Sequence, residues 1–418
     1  MTNYESVRIG DLGKIVTGKT PKTEDPDNFG DDCMFIGPTD LHKHFFIANS
    51  ERMISTKGLE SIKSSVLNGV SILVGCIGWD MGNVGIVNGR CTTNQQINSI
   101  TNIHEKYNPL YIYYWLKTKK DFLYQQASVT RTPILNKTDF SNIRINLPKE
   151  KKYQDKVVCL LAAIDKKVEL NNRINAELEA MAKTLYDYWF VQFDFPDANG
   201  NPYKTSGGKM VYSPILKRDI PEGWEAGTLE DLGQIVGGST PSTQSPDNFT
   251  TEGTPWITPN DLSNSQGNKF ISRGRQDVSA EGIKSASLKK YPAGTVLLSS
   301  RAPIGYIAIS RNEVTTNQGF KSFIPNKGYS SEFIYYTVKN SLKAITQYAS
   351  GSTFKEVSGG TLKTVKVVLP KMNVSDAFKN KVQSIFSKQD IIERENTQLT
   401  QLRDWLLPML MNGQVTVK

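Results

Sequence analysis

Two stretches of the chain place apolar residues at intervals of three and four for long enough to predict long helices. In the first, Val157, Leu161, Ile164, Val168, Asn171, Leu178, Met181 and Leu185 recur, with polar runs "DKK", "NNR" and "ELE" between them. In the second, Val382, Ile385, Gln389, Ile392, Asn396, Leu399, Leu402, Leu406 and Met409 do the same. Apolar a and d positions with charged flanks over several heptads predict a coiled coil, and Asn171 and Asn396 on the stripes suit the fixing of register. A helix from Tyr153 to Trp189 runs about 55 Å at roughly 1.5 Å per residue. Two ordinary amphipathic helices, each lying on its own domain, are the plainer alternative.

Elsewhere the apolar runs shorten. "VSILVG" (Val70 to Gly75), "GTVLLSS" (Gly294 to Ser300), "VGIVNG", "YIAIS", "IRINLP" and "VKVVLP" are rich in β-branched residues and bounded by turns, which predicts strands. "NPLYIYYWLKTKKDFLYQQA" and "SSEFIYYTVKNSLKAITQYA" each predict a helix packed on that sheet. The fold class is therefore mixed α/β (α+β). The stretch from Asp194 to Pro214, rich in Gly, Pro and Asn, predicts an exposed connector.

The blocks come in pairs. "LGKIVTGKTPKTEDPDNF" at Leu12 returns about 220 residues later as "LGQIVGGSTPSTQSPDNF" at Leu232. "FIGPTDL" returns as "WITPNDL", "TTNQ" at Thr92 as "TTNQ" at Thr315, "YIYYWLK" as "FIYYTVK", and "INLPK" as "VVLPK", all in the same order. One unit is written twice. This predicts a globular domain over 1–150, a helix over 151–190, a linker over 191–221, a second domain over 222–371 and a distal helix over 372–418. If the stripes of the two helices bury each other, equivalence of the copies makes the pair antiparallel about a pseudo-two-fold axis, with a domain at each end.

The repeat also decides the meaning of "GKIVTGKT" (Gly13 to Thr20), which fits the phosphate-loop pattern G-x-x-x-x-G-K-[ST]. In that reading Lys19 reaches the terminal phosphates and Thr20 holds magnesium, on a loop that opens a helix. Pro21 and Pro26 follow instead, with no apolar helical period. In the second copy Lys19 has become Ser239, so the shared turn is a feature of the fold rather than a nucleotide site.

Composition narrows the remaining chemistry. The chain has 418 residues, with 50 Lys and Arg against 41 Asp and Glu, a net charge of +9 that tilts toward polyanion partners. Cys33, Cys76, Cys91 and Cys159 form no C-x-x-C pair, and with His42 and His44 they give no zinc spacing, so no metal site is expected. The N-terminus lacks a signal pattern and the longest apolar run is too short to span a bilayer, which predicts a cytoplasmic protein without a membrane partner. No catalytic set occurs in both copies. His42, His44 and His104 belong to the first alone, Asp40 and Asp261 match each other without a carboxylate partner, and nothing suits a methyl-donor cofactor.

What the copies share in position and vary in identity is a set of polar and basic loops of the kind that read base edges and phosphates. In the first copy these hold Lys19, Thr20, Lys22, Thr39, Trp79, Asn83, Asn94, Gln95, Thr130, Arg131 and Lys137. In the second they hold Ser239, Thr240, Ser242, Asn260, Ser300, Arg301, Asn317, Gln318, Ser352 and Lys355. "TTNQ", identical in both, is equally readable as a turn satisfied by its own backbone.

On these duplicated blocks, and on "AAIDKKVELNNRINAELEAMAKTLYDYWF" and "QDIIERENTQLTQLRDWLLPMLMNGQV" after them, the chain resembles the specificity subunits of Type I restriction–modification systems over nearly its whole length. The resemblance implies two target recognition domains, each reading half of a bipartite double-stranded DNA site. It implies helices that space the halves and dock two methyltransferase (modification) subunits, and a non-catalytic chain. S-adenosylmethionine and ATP with magnesium would belong to partner subunits, the latter to restriction and translocase subunits. The rival readings are a phosphate-loop nucleotide-binding protein using Lys19 and Thr20, and a coiled-coil scaffold that does not bind DNA.

Overall fold

The computed structural model describes residues 3–41, 45–127, 132–301, 303–349 and 356–417. The chain divides into two compact units. One comprises Met1–Leu170 with Asn396–Lys418, the other Asn171–Glu395. Both divisions fall inside the long helices, which run over Lys151–Tyr186 and Met372–Met411.

In the first unit, Val70–Gly75 sits in a four-stranded antiparallel sheet beside Ile97–Thr101 and Val84–Asn88, with Lys14–Thr17 at the edge. A second sheet joins Arg52–Ile54, Phe29–Ile36 and Cys91–Thr93, the last pair parallel. The central strand is buried on both faces, which is why it reads as a continuous apolar run rather than an alternation. Tyr4–Arg8 pairs antiparallel with Arg144–Pro148, so the chain enters and leaves the globular part on neighbouring strands. The predicted single helix after the sheet is two: Pro109–Lys117, whose Tyr111 to Leu116 are all buried, and Lys120–Gln125. Thr118 turns its hydroxyl back onto the Trp115 carbonyl at the break, 2.7 Å away.

The second unit repeats the plan. Val296–Ser300 lies between Lys321–Ile324 and Ile304–Ser310, flanked by Gln234–Gly237 and Phe270–Ile271. Glu225–Thr228 pairs with Lys366–Leu369 as the first and last strands. The corresponding helix again splits, into Ser331–Asn340 and Leu342–Gln347, with Ser341 Oγ donating to the Thr337 carbonyl at 2.8 Å.

Most of the connector is exposed, as expected, but its start is anchored. Phe193 and Phe195 are buried, and Phe195 stacks on Trp224 and Tyr203 with ring centroids 4.9 and 4.7 Å apart. Asp194 accepts from both the amide and the hydroxyl of Thr205 at 2.7 Å, and Met210–Ser213 forms a hairpin with Arg218–Pro221. Aromatic burial holds the start of the segment on its unit while the turn-rich remainder stays exposed.

Within each unit the two long helices meet in opposite senses. In the first, Val157, Val158 and Leu161 share a core with Leu407, Leu410 and Met411. In the second, Asn171 Nδ2 donates to Glu395 at 2.7 Å, Gln389 Nε2 to the Asn175 carbonyl at 3.3 Å, and Ala182 and Tyr186 share a core with Phe378 and Val382.

Candidate nucleic-acid interface

Four loops of the first unit converge at one end of its main sheet. The Gly18 amide donates to the Ile97 carbonyl, and a Cβ on Gly18 would lie 2.0 Å from the Asn94 carbonyl oxygen. Thr20 Oγ1 donates to Gln95 Oε1 at 2.6 Å, which ties the "GKTP" loop to "TTNQ". The Cys76 amide donates to the Gln96 carbonyl, the Leu135 amide to that of Cys76, and the Gly78 amide to that of Pro133. The loops holding Lys19, Gln95 and Trp79, and the loop through Pro133 and Leu135 that leads into the helix at Lys137, are thus one rim.

The second unit builds a matching rim and keeps the Thr–Gln tie. Thr240 Oγ1 bonds Gln318 Oε1, the Ser239 amide donates to the Thr316 carbonyl, and a Cβ on Gly238 would lie 2.1 Å from the Asn317 oxygen. The Ser300 amide donates to the Gly319 carbonyl and the Val357 amide to that of Ser300.

The rim sorts the predicted residues. Lys19, Lys22, Gln95, Lys137, Ser242, Asn260 and Gln318 are exposed; Lys19 Nζ reaches Ser64 Oγ at 3.2 Å, and Thr39 donates to Glu51 at 3.3 Å. Thr20, Ser239, Thr240 and Arg301 are half-buried. Asn94 and Asn317 are turn residues, their Oδ1 atoms accepting from the amides of Gln96 and Gly319. Asn83 is engaged by Asp80 and Lys120. Ser300 corrects the expectation: it ends the central strand and is buried, because its amide and carbonyl are both taken by neighbouring loops. Thr130, Arg131, Ser352 and Lys355 lie outside the described residues, as do His42 and His44. Asp40 and Asp261 are caps: each accepts from the amide three residues earlier, of Gly37 at 3.0 Å and of Thr258 at 2.8 Å.

The phosphate-loop geometry is not present. Lys14–Thr17 is a strand, but among the described residues no helix opens at Lys19 or Thr20, and the next helical turn is the short Pro26–Asn28. Gly18 is small because another loop lies against it.

On the helices, Val157, Leu161, Ile164, Asn171, Val382 and Ile392 are buried, while Val168, Leu178, Leu185, Ile385, Asn396, Leu399 and Leu406 are half-buried. Met181 (59% exposed) and Leu402 (44%) point outward, against the expected stripe. At 3.6 residues per turn the buried line passes through the next residues, Ala182 and Arg403. Trp405 and Leu160 in the first unit and Ile391 in the second are also exposed.

Pattern reasoning missed the charged residues that fasten helix to domain. In the first unit, buried Asp165 accepts from Tyr114 Oη at 2.6 Å and pairs with Arg403 at 2.7 Å, while Phe45 stacks on Tyr114. In the second, Lys269 is only 3% exposed and holds Glu179 and Gln389 at 2.7 Å, with its ammonium 3.7 Å from the Phe386 ring centre. Burial pushes the Lys269 ammonium down to about 8, against the pull of Glu179. Glu393 accepts the amides of Lys269 and Phe270 and pairs with Arg311 at 2.7 Å, and burial still pushes its carboxyl up to about 7. The available signal was a polar or charged residue on or beside the apolar stripe, as at Gln389 and Asp165.

Residues 1–180 and 221–403 match the profile of a family described as Type I restriction modification DNA specificity domain. The specificity subunit of the Type I restriction enzyme MjaIX from Methanocaldococcus jannaschii is 40% identical over 198 residues, 46% of this chain and 44% of that protein. The chain therefore aligns with less than half of that relative's length. The HindI specificity subunit of Haemophilus influenzae is 29% identical over 326 residues, 66% of this chain and 70% of its own. The S subunit of a Type-I restriction-modification system from M. genitalium shares the fold, with a TM-score of 0.60 at 16% identity, covering 98% of this chain and 96% of that one. Two matched segments, each holding one copy of the repeated rim and reaching into a long helix, show that the chain belongs to the Type I restriction modification DNA specificity domain family.

Proposed function

We propose that this chain is the non-catalytic DNA-recognition subunit of a Type I restriction–modification complex. Each repeat reads one half of a bipartite double-stranded site, and the long helices fix the unread interval. One observation carries the reading: the two rims share the Thr–Gln tie and the backbone bonds of Cys76 and Ser300, and around them place different side chains, Lys19 against Ser239 and Trp79 against the shorter "SRAPI" segment. A protein reading two different half-sites needs a constant scaffold with variable base-contacting residues. The lysines on the first rim, together with the chain's positive balance, suit phosphate contacts. Exposed Trp405, Leu402 and Leu160 in the first unit, and Met181 and Ile391 in the second, supply apolar surface for two methyltransferase subunits. S-adenosylmethionine and ATP with magnesium belong to those and to the restriction subunits. Among the described residues no helix is long and apolar enough to cross a membrane.

The test is co-expression with the neighbouring methyltransferase genes, followed by sequencing of methylated bases across the host genome. A two-part motif with an unread gap is expected. A continuous motif, or methylation that does not depend on this chain, overturns the reading.

A further inference from the structure

We propose that Trp79 is an aromatic wedge that stacks on an unstacked base in the half-site read by the first unit, and that the matching segment of the second unit, "SRAPI", supplies no aromatic. This rests on the DNA-reading assignment above. The Trp79 indole is 95% exposed, yet the turn that carries it is closely built. Gly82 donates its amide to the Gly75 carbonyl and Gly75 to that of Asn83, while Met81 donates to Gly78 and plugs the core beneath. Gly78 and Gly82 both take φ of +78°, a backbone that other residues rarely adopt. A Cβ on Gly75 would lie 2.5 Å from the Asp80 oxygen, and one on Gly82 would lie 2.9 Å from the Lys120 Cα.

An indole held in water on a fixed turn forgoes its burial energy until a flat partner covers it, and little further ordering is needed then. The chemistry of the rim identifies that partner. The turn is bonded through Cys76 and Gly78 to the loops carrying Gln95 and Lys137, and Lys120 bonds Asn83 at its base. Cationic and amide groups around one free aromatic face match a nucleobase flanked by phosphates. In the second unit the sequence joining the matching strands is shorter, "SRAPI" against "GCIGWDMGNV", and Arg301 lies by Glu356 at 3.8 Å. The distortion made at this turn therefore belongs to the first half-site.

The experiment uses the subunit assembled with its methyltransferase, and a duplex carrying the site mapped by methylation sequencing. A fluorescent adenine analogue that brightens on unstacking replaces each base of the first half-site in turn. Wild type should brighten the neighbour from which the stacked base is parted, a signal that Trp79→Ala removes and Trp79→Phe partly restores, apart from any signal at the methylated base itself. Trp79→Ala should also weaken binding about 5- to 150-fold, the range of one lost base–aromatic stack. An unchanged fluorescence profile in Trp79→Ala, with the mapped site still methylated, overturns the wedge and leaves DNA reading intact. Failure of Trp79→Ala to co-purify with the methyltransferase assigns the indole to a protein contact and also overturns it. Absence of DNA binding by the wild-type assembly defeats the underlying reading instead.

Discussion

Gly18 and Gly238 show how a residue type can be dictated by a neighbour. Neither adopts a positive φ; each is glycine because the backbone of the Thr-Asn-Gln loop passes where a side chain would stand. Gly18→Ala should therefore lower stability by about 1–3 kcal/mol through overpacking, and Gly238→Ala should do the same. A urea midpoint unmoved by either change would show that the two loops do not bear on each other. Glu393 answers to pH instead. Its folded pKa, about 7, lies above the ordinary 4.5, so its contribution is fully present below about 4.5 and lost as pH rises through about 7. Wild type should lose more stability than Glu393→Gln between about pH 5 and about pH 8. Parallel urea midpoints across that range would show that Glu393 does not titrate there.

At the scale of elements, the fastening of helix to domain has two chemistries in equivalent places. Phe45 and the Asp165–Arg403 pair serve the first unit; Lys269 with Glu179 and Gln389 serves the second. Arg403→Ala leaves Asp165 as an uncompensated buried charge and should cost about 3–5 kcal/mol. Adding Asp165→Leu should return most of that loss, and a double variant no more stable than Arg403→Ala by denaturant titration would show the pair is not coupled. Such features also mark where pattern reading stopped. The strands Val70–Gly75 and Arg144–Pro148 and the long helices were legible because their apolar periods are strong. The outward turn of Met181 and Leu402 was not, since a heptad count drifts about 20° per repeat from a straight helix. The engagement of Asn83 and the burial of Ser300 depend on loops distant in sequence, which no local pattern encodes.

For the molecule as a whole, the duplication was the most informative property of the sequence, because paired blocks in constant order constrain each other. Under the proposed function, replacing residues 1–150 with the matching domain of a relative should change one half of the methylated motif and leave the other. Methylation sequencing that shows both halves altered would mean the repeats do not read independently. The paired first and last strands, Tyr4–Arg8 with Arg144–Pro148 and Glu225–Thr228 with Lys366–Leu369, bear on how such a gene changes over time. A segment whose two ends lie side by side leaves the rest of the polypeptide with a single narrow seam. Recombination between related genes can therefore import a whole reader in one event, with few residues to reconcile at the join. Selection on a lineage then acts on inherited cassettes, and a new target arrives complete rather than through a series of partly functional point mutants.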